Sequence, residues 1–266
     1  MTAARVHGFG GGRLFLVREM VRRDFQGRYA GSTLGFFWSF VQPLAQLLLF
    51  TFVFSIVIRV PADSRWPEVG FAAWLFAGLL PWMALQEGVT RSVTTITDNA
   101  TLVKKLRFPS ELLVLSVVTA ALVHEAIGAI VFTAALLASH TLAPGGLPLL
   151  LVAVPLQVAL TLGLGLLGAA AHVFVRDLGQ ILGLVFMTWF YVTPIVYPLR
   201  LVPEPWRAWL SWNPLNALVG LYRQAFFGGD LTMPEGTGLL AMTALLLLLA
   251  GLGLFEWLKP VFADEV

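Results

Sequence analysis

The sequence predicts an all-α membrane protein: six transmembrane helices, an amphipathic interface helix before the first, and short re-entrant helices between spans five and six. Three observations carry this. Of 266 residues, 58% are hydrophobic and only 12% charged, whereas soluble domains carry about a quarter charged residues. Mean hydropathy is +0.82. Apolar stretches near the length of about 20 residues that a helix needs to cross a bilayer recur along the chain, separated by charge or turn chemistry.

The spans fall at residues 33–58, 70–90, 109–139, 147–175, 179–196 and 238–258. They are broken by RVPADSRWPE (59–68), by NATLVKKLRF (99–108), by SHTLAPGG (139–146) and by RDLGQ (176–180). An even number of spans puts both termini on one side. With that side cytoplasmic, the inner segments hold twelve Lys and Arg and the outer ones five, which the positive-inside rule favours. Residues 1–32 are then a cytoplasmic N-terminus, 33–258 the six-span domain and 259–266 a cytoplasmic tail.

Two segments depart from plain spans. In GRLFLVREMVRRDFQGRYAGS (12–32), Leu14, Val17, Met20 and Val21 recur at helical spacing while Arg18, Arg22, Arg23 and Asp24 take the other faces. That pattern fits a helix lying along the inner membrane surface; a solvated basic arm is the alternative. No cleavable signal peptide is visible, since the only apolar run before the first span is LFLV. The second segment, 194–236, is apolar and aromatic but interrupted by Arg207, Asn213-Pro214 and Arg223. Trp206, Trp209 and Trp212 repeat every third residue, and indoles favour the membrane interface. Two short re-entrant or interfacial helices with Asn213-Pro214 at the turn fit this stretch.

Several function classes lack their residues. There is no cysteine, hence no disulfide and no thiolate metal site. No phosphate loop accompanies Lys104, Lys105 or Lys259, and neither H-E-x-x-H nor G-x-S-x-G occurs. Enzymatic work and a bound metal are therefore not expected of this chain.

Polar residues inside spans are few, and each counts as a candidate functional group. His124 and Glu125 form an intramembrane polar pair in the third span, with Glu87 near the inner end of the second. A packed pair holding helices together and a proton relay both fit; Ala121, Gly128 and Ala129 on the Glu125 face favour close helix contact. In the fourth span, Thr161, Gly165 and Ala169 form a second row of small residues. In the first span, Ser39, Gln42 and Gln46 fall on one stripe, and Phe36, Phe40 and Phe50 on the adjoining one. Trp189, Phe190 and Tyr191 add a second aromatic patch in span five. Amides beside aromatic rings suit a sugar in a channel; interhelical packing is the alternative.

Five stretches in this order resemble one family: RRDFQGRYAGSTLGFFWSFVQPLAQ (22–46), DNATLVKKLRFPSELLVLS (98–116), FVRDLGQIL (174–182), YVTPIVYPL (191–199) and WNPLNALVGLYR (212–223). They are similar to the membrane subunits of ABC-2 type polysaccharide exporters, the transporters of O-antigen, teichoic acid and capsule. The resemblance implies an inner-membrane permease that pairs with a second copy of itself and with two cytoplasmic ATP-binding subunits. ATP and Mg would reside on those subunits and no cofactor on this chain. The cargo would be a lipid-linked polysaccharide, with membrane lipid around the dimer and no nucleic-acid partner.

By position, the resemblance maps a coupling helix onto residues 91–108, with Arg91, Asp98, Asn99, Lys104, Lys105 and Arg107 as contacts to the ATPase. It maps an outer gate onto residues 195–227, with Pro194, Tyr197, Trp206, Trp209, Trp212 and Asn213. Thr97, Asp98 and Asn99 are placed to cap the coupling helix, and Pro109 suits the first turn of the third span with Glu111 near its positive end. Alternatives stay open: an ABC-2 exporter of small drugs or lipids, and a proton-coupled carrier using Glu125 and His124.

Overall fold

The computed structural model describes residues 9–28, 32–60, 64–105 and 108–266. Among these residues there is no strand. Eleven α-helices follow in order: α1 (Phe9–Arg28), α2 (Trp38–Phe50), α3 (Phe71–Asp98), α4 (Ala100–Lys105), α5 (Glu111–Ala138), α6 (Leu150–His172), α7 (Leu178–Val192), α8 (Glu204–Ser211), α9 (Pro214–Phe227), α10 (Thr237–Leu258) and α11 (Phe262–Glu265). The segment Thr51–Val57 extends α2 as a π-helix.

Four helical segments are long and apolar enough to cross a membrane: Gly35–Val57, Glu111–Ala138, Pro144–His172 and Thr237–Glu265. The second and fifth expected spans differ from these for physical reasons. The α3 helix has 28 residues, ample at about 1.5 Å per residue, but Gln86, Glu87, Thr90 and Arg91 dilute its inner half. It is buried along most of its length, from Phe71 to Ile96, but Gln86 is exposed and Glu87, Thr90 and Arg91 are half-buried, on the side that faces the first span and α5. The α7 helix stops at Val192, four residues short of the expected end. Thr193, which precedes Pro194, is extended (φ −95°, ψ 132°), the geometry a following proline imposes.

Helix packing follows small residues. On α6, Thr161 and Gly165 meet α3: a Cβ on Gly88 would lie 2.6 Å from Thr161 Cγ2, and one on Gly165 3.0 Å from Ser92 Oγ. The row expected from the sequence is thus a real seam. A second seam joins α6 to α10, where a Cβ on Gly163 would sit 2.6 Å from the Leu247 carbonyl carbon and one on Gly251 2.6 Å from Gly163 O. Backbones this close need glycine.

Two apolar clusters stack along the bundle. The larger gathers Trp74, Leu75, Leu85, Phe132, Tyr222 and Phe226 from α3, α5 and α9. The smaller lies at the other end and joins Ile96, Leu113 and Phe255 to Phe262 of α11, with Met20 of α1 and Phe108 packed against it. The first and last helices therefore meet at one end, beside the α3–α4–α5 turn. Val17 of α1 is buried there, whereas Leu14 is 74% exposed; the inward face is narrower than the heptad-like spacing suggested.

The expected pair of short helices is present. Asn213 caps α9, its side chain accepting from the Leu215 N–H at 3.1 Å, and Pro214 takes the first turn. After α9, Asp230 accepts from the backbone N–H of Thr232 (3.0 Å) and from Gln224 (2.6 Å). The Thr232 N–H is the main reason its carboxyl sits below the usual carboxylate range.

The α6–α10 seam gives a direct test. Gly163→Ala should destabilise the purified protein by about 1–3 kcal/mol, the usual cost of overpacking, read as a lower midpoint in a detergent thermal melt. Gly253→Ala on the same bundle, with nothing within 4 Å of the added Cβ, should leave the midpoint unchanged.

Candidate functional site

The polar residues of the first span meet those of α3 and α5 around one cavity. Gln42 and Gln46, one turn apart on α2, line it together with Gln86, Glu87 and Thr90 of α3 and His124 and Glu125 of α5. Its volume is about 330 Å³. Beside it runs a cleft of about 500 Å³ between the first span and α7, walled by Phe50, Phe54, Phe190 and Tyr191. Gln46, Met83 and Gln86 line both, so cavity and cleft adjoin.

His124 and Glu125, adjacent in sequence, turn to different partners. His124 Nδ1 lies 3.5 Å from Glu87 Oε2. Glu87 also takes a bond from Arg91 at 3.1 Å, and Arg91 pairs with Asp24 of α1. A series of linked polar side chains, Asp24, Arg91, Glu87 and His124, thus runs from the N-terminal helix past α3 to the cavity. Glu125 instead accepts from Gln157 Nε2 at 2.6 Å, and the Tyr222 hydroxyl donates to Gln157 Oε1 at 2.6 Å. Gln157 is fully buried, and this relay ties α5, α6 and α9 together. Its signal was present in the sequence, since a lone amide in the apolar run LLVAVPLQVAL demands a partner.

The aromatic candidates divide. Phe50, Phe190 and Tyr191 wall the cleft. Phe36 and Phe40 lie outside both spaces: they pack edge-on to each other at 5.7 Å, and Phe36 meets Phe25 of α1 at 6.1 Å. Ser39, on the amide stripe, is fully buried. Trp189 donates to Asn213 Oδ1 at 3.1 Å while Asn213 Nδ2 donates to Thr193 Oγ1 at 2.9 Å. Trp189 and Asn213 therefore fasten the end of α7 to the start of α9.

At the same place sits a residue counted from sequence only as an outer cation. Arg223 is 4% exposed. Its guanidinium donates to Trp74 O (3.3 Å), Pro194 O (3.0 Å) and Ile195 O (2.8 Å), and lies 3.4 Å from the Trp74 ring centroid. The chain leaves helical geometry at Thr193, which frees the Pro194 and Ile195 carbonyls for a donor. Gly78 makes the room, because a Cβ there would lie 2.7 Å from an Arg223 nitrogen. Of the remaining outer-gate candidates, Tyr197 donates to Tyr191 O at 2.7 Å. Trp206, Trp209 and Trp212 are 64%, 79% and 75% exposed, as interfacial indoles would be.

The charged end is organised around a groove of about 530 Å³ lined by Arg23, Asp24, Arg91, Asp98, Asn99 and residues of α5. Arg18, Arg22 and Arg23 are exposed on α1, and Lys104 is exposed on α4. The Lys105 side chain and Arg107 lie outside the described residues. The side chains expected to cap α4 turn back instead: Thr97 Oγ1 donates to Thr94 O and Asn99 Nδ2 to Thr95 O. They close the end of α3, while the Asn99 carbonyl accepts the first N–H bonds of α4. Glu111, at the positive end of α5, pairs with Lys259 at 2.7 Å.

The ABC-2 type transporter family matches residues 16–227, which include the cavity, the cleft and the α8–α9 pair. This chain belongs to the ABC-2 type transporter family. Among its relatives, the O-antigen export system permease protein RfbA of Myxococcus xanthus is 32% identical over 258 residues, covering 94% of this chain and 95% of that protein. RfbA of Klebsiella pneumoniae is 30% identical over 259 residues, covering 95% and 96%. The polysialic acid transport protein KpsM of Escherichia coli is 23% identical over 241 residues, covering 90% and 92%. No group of His, Asp and Glu suited to a metal occurs among the described residues of this ABC-2 chain.

Arg223→Lys keeps the charge but loses the planar fork that reaches three carbonyls. It should lower stability by about 2–3 kcal/mol, the scale of lost charge-assisted hydrogen bonds, measured by thermal unfolding in detergent.

Proposed function

We propose that this chain is the membrane permease of an ATP-driven exporter that moves a lipid-linked polysaccharide, of O-antigen, teichoic acid or capsule type, across a bacterial inner membrane. The observation that carries this is end-to-end similarity to O-antigen export permeases, about 30% identity over nearly the whole of both chains. In this reading α3 and α7 cross the membrane beside the four long apolar helices, giving six spans. Both termini are cytoplasmic, because α1, the α3–α4–α5 turn and α11 share the end richest in Lys and Arg.

The amide and aromatic lining of the cleft then serves as the conduit wall. Sugar hydroxyls bond to Gln46 and Gln86 while C–H faces of the rings pack on Phe50, Phe190 and Tyr191. The outward apolar surfaces of the first span and α7, including Leu48, Phe52, Leu184 and Met187, face a second copy and lipid. The tryptophan side of α8 guards the outer mouth at the interface.

Force has to enter at the charged end, since no nucleotide-binding loop occurs in the sequence. The α4 helix, on which Lys104 is exposed and Lys105 follows in sequence, and the groove beside Arg23 and Asp98 form the docking surface for a separate ATPase subunit. Motion there passes to the transmembrane helices through α3, which is continuous from the groove to the cavity wall.

Reversing charge with Lys104→Glu and Lys105→Glu should leave membrane insertion and ATP hydrolysis by the complex intact. Surface polysaccharide should fall about tenfold, within the usual range of inter-site coupling, measured by immunoblot of cell-surface polymer. Undiminished export would remove α4 from the coupling role.

A further inference from the structure

The cavity between the first span, α3 and α5 holds more hydrogen-bonding capacity than the protein uses. Gln42 and Gln46 make no hydrogen bond among the described residues. Gln86 accepts from Trp82 Nε1 at 3.1 Å and keeps its amide N–H groups uncommitted. Thr90 donates to the Gln86 carbonyl at 2.7 Å and can still accept. Glu125 uses Oε2 for Gln157, while its Oε1 is enclosed and has no partner. Gln42 and Gln86 are exposed at the rim of the cavity, whereas the enclosed Glu125 Oε1 carries a desolvation cost unless something fills the space.

The mixture of open groups narrows what could fill it. The amides of Gln42 and Gln46 offer donors and acceptors side by side, Gln86 offers its amide N–H groups, and Glu125 Oε1 offers an acceptor. A bare cation would leave the amide N–H groups without acceptors, and an acyl chain would satisfy none of the polar groups. A sugar hydroxyl is donor and acceptor at once, and Phe76, Leu80 and Met83 give its C–H face an apolar floor. The volume of about 330 Å³ lies at the lower end of small-ligand pockets, about 300 Å³ upward. Access is built in, because Gln46, Met83 and Gln86 also line the aromatic cleft.

We propose that this cavity is a side pocket for a single hydroxyl-rich sugar unit, gripped by Gln42, Gln46, Gln86 and Glu125 and entered from the cleft. This deepens the export reading and rests on it for the cleft as a conduit. The sugar could belong to the polymer in transit or to the headgroup of a membrane glycolipid, since both present the same hydroxyls.

The test uses the purified permease–ATPase complex in phosphatidylcholine nanodiscs and two photoreactive probes, an octyl glucoside and an octyl phosphocholine, each with a diazirine on its headgroup. The glucoside should label peptides of α3 and α5; the phosphocholine should not. Gln42→Leu with Gln86→Leu should cut that labelling about fivefold, the effect of losing one or two net hydrogen bonds. Gln42→Leu alone, on the exposed side of α2, gives a smaller loss and guards against a folding artefact. Competition by a soluble gluco-oligosaccharide assigns the pocket to cargo, and competition only by glucosyl diacylglycerol assigns it to a membrane glycolipid. Equal labelling by both probes, labelling unchanged in both variants, or competition by neither sugar would overturn the pocket. Labelling needs no ATP turnover, so a failed export assay with intact labelling would count against the transport reading alone.

Discussion

A single buried guanidinium holds together the half of this bundle opposite the charged end. Arg223 ties α9 to the carbonyls freed where α7 ends at Thr193-Pro194, and it does so against the face of Trp74 on α3. Three elements far apart in sequence converge on one side chain that stays charged at any accessible pH. An apolar side chain there would leave Pro194 and Ile195 carbonyls without a donor, and water is excluded from the site. The seating of α9 against α3 and the end of α7 rests on that bond set. The Trp189–Asn213–Thr193 bonds repeat the same fastening one turn away.

The α3 helix is the second organising element. It carries the polar groups that lipid would reject, and it is tolerated because α5, α6, α7 and α9 surround it. Its glycines and small residues admit α6 closely, and its Gln86, Glu87 and Arg91 connect the cavity to the charged end. Arg91 and Glu87 on α3 link Asp24 of α1 to His124 of α5. A displacement of α1 therefore has a direct electrostatic route to the cavity wall. Within ion-pair networks each member restrains its neighbours more than isolated surface pairs do.

The charged end is built as a clamp rather than as loose loops. Phe262 of α11 is fully buried beside Phe255, at 5.1 Å between rings, and Lys259 bridges α10 to Glu111 of α5. Residues 259–266, expected as a cytoplasmic tail, thus pack beside the turn that carries α4.

Much of this was written in the sequence. The all-helical class, the four long apolar helices, the α8–α9 pair, the small-residue seam of α6 and the family follow from hydropathy, turn chemistry and local motifs, because each depends on neighbours a few residues away. The pattern also singled out Gln42 and Gln46 as amides on one stripe of the first span, either lining a channel or packing between helices. What tertiary structure decided is which groups those are. Arg223 looked like an outer cation, Gln157 passed without notice, and His124 and Glu125 looked like a pair until the helices parted them toward Glu87 and Gln157. Phe36 and Phe40 shared a stripe with Phe50, yet only Phe50 reaches the cleft. Periodicity assigns a residue to a face of its own helix; which partner that face meets is fixed by contacts between segments up to 149 residues apart, and no local pattern encodes those distances.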